Sequence, residues 1–273
     1  QPARRAAKSP WTKDSNEVAR RASVSCVLTS LASMTASQGG STGAQALVVL
    51  PTYNEAENLR DVVARILTAA PEVGILVVDD ESPDGTGALA DELARADSRV
   101  RVLHRHGERG LGRAISAGLQ DALRRGVAVA ITMDCDLSHD PAEIPRLLAA
   151  GGDVAIGSRY VAGGRLANWS LHRRLLSASA NLFVRALFGL SAQDCTSGYR
   201  AYRAEVLAKV PFERLHSAGY SFEVEILFWV GRLGSGGIRE IPITFLDRAR
   251  GTSKMGVREA IVGALNLLRV RLS

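Results

Sequence analysis

"VAVAITMDCDLSHD", residues 127–140, begins as an unbroken apolar run and ends in carboxylates at Asp134, Asp136 and Asp140. A run of this length without alternation reads as a strand covered on both faces. Close carboxylates repel one another unless a positive group lies between them. A chain that ends a buried strand this way is therefore expected to bring a cation there.

The same pattern recurs upstream. "ALVVLP" (46–51) and "GILVVDD" (74–80) are apolar strands, and "RVRVLHR" (99–105) alternates like a strand. Helical spacing fills the intervals at 58–70, 86–96 and 112–126, with Gly126 placed to end the last. Helix 141–150 and strand 153–159 follow, with Asp140 as N-cap before Pro141. Apolar strands alternating with amphipathic helices imply an α/β fold: a Rossmann-like, mostly parallel sheet with helices on both faces. Ligands bind such sheets beyond the carboxyl ends of the strands. Further on, 170–189 and 219–234 read as helices. Residues 238–248 read as a strand that Pro242 places at an edge or a bend, and 256–273 as a basic terminal helix.

Three strand ends are polar and should share one edge of the sheet. The first carries Pro51, Tyr53, Asn54 and Glu55. The second carries Asp79, Asp80, Glu81 and Asp84. The third carries Asp134, Asp136, Ser138 and His139. Mg²⁺ or Mn²⁺ with oxygen ligands would remove the repulsion between Asp134 and Asp136 and bridge phosphate oxygens. "GERGLGRAISAG" (107–118) departs from the dinucleotide-binding glycine spacing and does not follow the first strand, so a tight loop near the ligand is expected at Gly110 and Gly112. His104 and His106 lack a matching ligand set and read as surface residues.

Bulk properties set the frame. The 273 residues allow one large domain or two small ones, and 46% hydrophobic content supports a sizeable core. No uninterrupted apolar run reaches the roughly 18 residues that suggest a transmembrane helix. Cys26, Cys135 and Cys195 are scattered, which fits a reducing compartment rather than a disulfide framework or zinc site. The net charge of +6 divides into +4 over residues 1–43, +5 over 248–273 and −3 between them. Basic ends on a slightly acidic body suit anionic phosphates or a membrane surface. No recognition helix or aromatic-plus-basic pattern suggests nucleic acid. Residues 1–43 read as a flexible leader and 44–273 as the folded domain with a C-terminal basic amphipathic helix.

Taken together, "VVLPTYNEAENL", "VVDDESPDGT", "GLGRAISAG", "MDCDLSHDP", "GSRYVAGG", "DCTSGYRAYR", "GYSFEVEI" and "FLDRARGTSKM" resemble family 2 glycosyltransferases, most closely the polyprenol-phosphate (dolichol-phosphate) mannosyltransferases. The resemblance spans about residues 45–265. It implies a GT-A fold, a GDP-mannose donor, a polyprenyl or dolichyl monophosphate acceptor held in a membrane, and Mg²⁺ or Mn²⁺. By position, Pro51, Tyr53, Glu55, Val77 and Asp79 would hold the guanosine. Asp134, Cys135 and Asp136 would meet the diphosphate and metal, Cys135 through its backbone. Ser138 stands at a metal-ligand position where relatives often carry Gln, so a water could take its place. Arg159, Arg248 and Lys254 would contact phosphates.

A lipid monophosphate is already anionic at neutral pH, its second pKa being near 6, so it can attack without a dedicated base. Attack on an α-linked donor gives an inverted, β-linked product. Asp194 is the best base candidate; the competing reading is a structural carboxylate held by Thr196, Ser197 and Arg200. Arg200 and Arg203 could instead meet the acceptor phosphate. Glu223 and Glu225, two apart on a helix, face different directions.

The terminal helix could lie in the membrane interface with Leu265, Leu268 and Val270 inward, pack against the body, or bind an integral-membrane partner. A peripheral location on the cytoplasmic membrane face follows from the lipid acceptor. The alternatives are UDP-glucose as donor, a polysaccharide primer as acceptor, or a non-catalytic nucleotide-sugar-binding subunit. The intact acidic set with Arg248 and Lys254 argues against the last. A receiver-like domain is excluded by length and by the lack of a later strand-end lysine.

Overall fold

The computed structural model describes residues 45–215, 217, 219, 221–247, 266–268 and 271. The leader at 1–43, Arg248, Lys254 and most of the terminal helix lie outside the described residues.

The described chain runs β1 (Ala46–Thr52), α1 (Ala56–Ala69), β2 (Gly74–Asp79), α2 (Thr86–Ala96), β3 (Val100–His104), α3 (Leu111–Arg124) and β4 (Val129–Thr132). A 3₁₀ turn at Pro141–Glu143 then leads into α4 (Ile144–Ala150), followed by β5 (Val154–Ser158), β6 (Arg165–Leu166) and α5 (Leu171–Phe188). The remainder is β7 (Arg200–Arg203), α6 (Ala204–Leu207), α7 (Phe222–Leu233), β8 (Ile238–Pro242) and β9 (Thr244–Phe245). The main sheet has seven strands in the order β3-β2-β1-β4-β7-β5-β8. Strands β1–β4 pair in parallel, as do β5 and β8. Strand β7 alone is antiparallel, inserted between β4 and β5.

The continuous apolar runs are explained by cover on both faces. Leu47, Val49, Leu76 and Val78 point to one side, where Ile115 and Leu119 of α3 and Phe222 and Ile226 of α7 meet them. Val48, Leu50, Ile75 and Val77 point to the other, against Leu59 and Ile66 of α1 and Ile144 and Leu147 of α4. Each such side chain contributes about 1.5–3 kcal/mol on burial. Helix α3 crosses the sheet so closely that a Cβ on Gly118 would sit 2.4 Å from Val49 Cγ1.

Two expectations are refined. The strand foreseen at 238–248 is two strands. β8 forms the edge of the main sheet, and β9 pairs with β6 after the chain bends at Pro242. β7 was not foreseen; its four residues form a strand because β4 and β5 offer a slot between them. Because β7 runs backwards, the loop before it, 194–199, lies at the same edge as the carboxyl ends of β4 and β5.

Candidate active site

The ends of β1 and β2 are tied together by side chains capping one another's loops. Asp84 accepts from Ala56 N at 3.1 Å and from Thr86 Oγ1 at 2.5 Å, while Thr86 Oγ1 accepts from Glu55 N at 3.0 Å. Burial opposes ionisation of Asp84, but these hydrogen bonds outweigh it and hold the carboxyl below its usual range. Asp79 is buried and accepts from Ser82 Oγ at 2.6 Å. Asp80, also buried, accepts from Gly110 N at 2.7 Å and pairs with Arg105. The glycine loop 107–112 is thereby fastened to β2, and Arg109 lies over the Tyr53 ring.

Beyond β4 the chain turns sharply, with Leu137 in the left-handed region at φ 61°. Asp136 is buried and accepts from Ser138 N at 3.0 Å and Ser138 Oγ at 2.5 Å. Ser138 is fully buried, its hydroxyl directed at Asp136. The Asp134 side chain keeps 32% of its surface. Asp140 caps the next turn through Ala142 N, as read from the sequence. Cys135 is buried; burial first, then the charges of Glu55, Asp136 and Asp134, push its thiol well up, so it presents only backbone.

His139 closes the loop. Its Nδ1 accepts from Asp134 N at 3.3 Å, and its ring stacks on Tyr199 at 4.9 Å and meets Phe245 edge-on at 5.2 Å. Burial lowers its pKa to about 4, Asp136 opposing and Arg159 adding to the shift, so the imidazole is neutral at physiological pH. Phe245 in turn packs on Trp169 at 5.6 Å. Sequence reasoning missed this stack. Its rings come from four distant segments, and nothing local marks Trp169, Tyr199 or Phe245 as partners of the acidic loop.

At the end of β5, Arg159 makes a bidentate pair with Asp194, Nε to Oδ2 and Nη2 to Oδ1 at 2.7 Å each, and donates to Thr196 Oγ1 at 2.7 Å. Among the described residues its Nη1 has no hydrogen-bond partner. Burial works against the Asp194 charge, but Arg159 outweighs it and holds the carboxyl low. Asp194 is therefore the structural carboxylate of the two readings, with Arg159 rather than Arg200 or Ser197 as its partner. Ser197 instead donates to Gly157 O.

Four expectations are corrected. Arg200 is fully buried, ion-paired to Glu223 at 3.1 Å and bonded to Tyr202 Oη and Cys195 O, so it does not reach an acceptor phosphate. Arg203 sits opposite Val129, which the antiparallel β7 carries to the far edge of the sheet. Val77 is 0% exposed with its side chain in the core, and Pro51 is buried beside Val78, so neither side chain is open to a base. Of the two glutamates on α7, Glu225 turns away to accept from Ser217 N, while Glu223 faces the site. A Cβ on Gly198 would lie 3.6 Å from both Glu223 Oε1 and Asp134 Oδ1. His104 and His106 are exposed, as expected.

The site thus offers a half-open carboxylate at Asp134, a buried one at Asp136, the donors of Arg159, and backbone from three strand ends. Among the described residues no group of three or more His, Cys, Asp or Glu forms a metal cage. Two carboxylates leave the remaining positions of a hard cation to waters and phosphate oxygens, the usual arrangement for Mg²⁺ and Mn²⁺ on phosphates. The donor set fits such an ion.

Comparison with known proteins agrees with this picture. The model of glycosyl transferase family 2 matches residues 47–210. A polyprenol monophosphomannose synthase from Mycolicibacterium smegmatis is 52% identical over 222 residues, covering 79% of this chain and 83% of that protein. An undecaprenyl-phosphate mannosyltransferase from Micrococcus luteus is 47% identical over 221 residues, covering 79% and 90%. Among solved structures, glucosyl-3-phosphoglycerate synthase from Mycobacterium tuberculosis, in complex with Mn²⁺, UDP and glucosyl-3-phosphoglycerate, superposes with a TM-score of 0.60 at 19% identity. That match covers 98% of this chain and 85% of that one.

Proposed function

The chain belongs to glycosyl transferase family 2, and from that membership we propose that it transfers mannose from GDP-mannose to a polyprenyl monophosphate, with inversion, giving a β-mannosyl phosphopolyprenol. The observation that carries this reading is the convergence of three strand ends on Asp134 and Asp136, in a chain about half identical to transferases named for mannose and polyprenol phosphate.

Asp134 and Asp136 would hold the Mg²⁺ or Mn²⁺, and Ser138 orients Asp136 by donating to Oδ1. When bound, that ion supplies countercharge to the departing diphosphate. Tyr53, Glu55 and Asp79 frame the guanosine side of the edge, and Arg248 and Lys254, outside the described residues, are assigned to the diphosphate. Arg159, oriented by Asp194, turns Nη1 toward phosphate oxygens. The acceptor phosphate supplies its own nucleophilic oxygen. Asp194, fully buried and ion-paired, takes no proton from it.

No helix among the described residues is long and apolar enough to cross a membrane. A polyprenyl acceptor is held in a membrane, so the protein meets it at the membrane surface, with an integral-membrane partner as the alternative dock. Incubation of the protein with GDP-mannose, a polyprenyl monophosphate and Mg²⁺ should yield an organic-soluble mannolipid that EDTA abolishes. Product from UDP-glucose but not GDP-mannose would overturn the donor, and no lipid product from either would overturn the reaction.

A further inference from the structure

Glu223, in the first turn of α7, faces the site with a carboxylate that the reaction described above does not use. The residue is 3% exposed. Its Oε2 lies 3.1 Å from Arg200 Nη1, and the Tyr202 hydroxyl also acts on the carboxyl, so the core supplies its countercharge. Neither oxygen completes a hydrogen bond of normal geometry. A buried carboxylate oxygen without a donor is costly, and a fold that keeps one leaves room for a donor that arrives from outside.

The gap for that donor lies beside Gly198, in the loop before β7. A Cβ there would meet nothing nearer than Glu223 Oε1 and Asp134 Oδ1, at 3.6 Å each. Gly198 has no positive φ, so its backbone does not require glycine; the missing side chain keeps the space open. Thr132 Oγ1 donates to Gly198 O at 2.8 Å and holds the loop there. A carboxylate accepts hydrogen bonds and gives none. The diphosphate and the lipid phosphate are anions, which Glu223 repels. Guanosine has N–H and O–H groups, but it is framed by the ends of β1 and β2, and β7 lies on the other side of β4. Among the described residues Glu223 completes no metal cage. The hydroxyls of the transferred sugar remain, and the sugar is joined to the diphosphate assigned to Asp134.

We propose that Glu223 is a specificity-determining residue for the donor: its Oε1 accepts a hydrogen bond from a hydroxyl of the transferred hexose, which sits in the gap that Gly198 leaves beside Asp134. This deepens the nucleotide-sugar reading above and rests on it. A sugar held at both the diphosphate and a ring hydroxyl cannot swing about its phosphate bond, which fixes the face its anomeric carbon presents to attack. A sugar lacking that hydroxyl would leave the buried carboxylate unpaired, so the site discriminates against it.

The test is calorimetric titration of the full-length protein with GDP and with GDP-mannose, in Mg²⁺ and without lipid phosphate. Gly198→Ala, whose methyl the fold accommodates, fills the gap. It should bind GDP as the wild type does and GDP-mannose at least about tenfold more weakly. Glu223→Leu should do the same, while Glu223→Gln, which keeps an oxygen to accept the bond, should stay within about threefold of the wild type. Of the monodeoxy forms of GDP-mannose, one should bind the wild type at least about tenfold more weakly than GDP-mannose, and Glu223→Leu no more weakly. Glu223→Leu strips Arg200 of its counter-charge; if it does not fold, Gly198→Ala, which leaves that pair intact, decides the matter. Unchanged GDP-mannose affinity in Gly198→Ala would overturn the proposal. So would an equal loss of GDP affinity in the variants, since Glu223 would then serve the metal or the diphosphate. Because the titration uses no lipid phosphate, its failure is distinguishable from failure of the transfer assay.

Discussion

The backbone N–H of Asp134 donates to Nδ1 of His139 at 3.3 Å, so the half-open carboxylate of the acidic loop is positioned by a fully buried, neutral imidazole. That ring is clamped between Tyr199 and Phe245 and leaves no room for a charged, hydrated form.

The first prediction concerns acid. The folded pKa of His139, about 4, lies below the ordinary value of about 6.5. Between those values the unfolded chain binds the extra proton, so stability rises with pH and is lost on acidification. Between pH 7 and pH 5 this group should remove roughly 2 kcal/mol of unfolding free energy. Urea titrations of wild type and His139→Phe at both pH values should show the loss in the wild type and a flatter response in the variant. Glu223, whose carboxyl burial raises despite Arg200, acts with the opposite sign, stabilising the fold as pH falls, so the difference between the two proteins is the quantity to read. An identical pH response in both would reject the assignment.

Asp194 gives a second prediction. Its carboxyl is held low by Arg159, and below its folded pKa that stabilisation disappears. Asp194→Asn leaves the Arg159 guanidinium buried without its counter-charge and should cost about 3–5 kcal/mol in chemical denaturation. If Asp194 were the base, the variant would instead keep wild-type stability and lose turnover, with the loss tracking pH.

Packing is tested at Gly118. An added Cβ would lie 2.4 Å from Val49 Cγ1 and 3.0 Å from Val78 Cγ2, both on the sheet under α3. Gly118→Ala should therefore destabilise by about 1–3 kcal/mol, read as a shifted denaturation midpoint with an unchanged slope. A neutral or stabilising result would mean that α3 does not approach the sheet this closely.

The parts of this site legible in the sequence were those written locally. The apolar runs at 46–51, 74–80 and 127–134 declared a buried parallel sheet, and their acidic ends declared its functional edge, because both signals lie within a few residues of one another. The parts that were illegible depend on where the chain returns. Strand β7 is too short to carry a period, so its reversal could not be read, and with it the arrival of 194–199 beside Asp134 and Arg159. Arg200 looked like a phosphate ligand because an arginine beside a glycine-containing loop usually is exposed. Only the fold shows Glu223 of α7 meeting it in the core. Val77 lies two residues inside the end of β2, where helices cover both faces of the sheet and leave no side chain open.

The claim on which the rest depends is that Asp134 and Asp136 form a metal site completed by the donor's diphosphate. The most direct measurement is Mn²⁺ binding followed by electron paramagnetic resonance, with and without GDP, in the wild type, Asp134→Asn and Asp136→Asn. The account predicts tight Mn²⁺ binding by the wild type only when GDP is present, weakened at least about 100-fold in either variant. Mn²⁺ binding that ignores GDP, or that survives both substitutions unchanged, would contradict it.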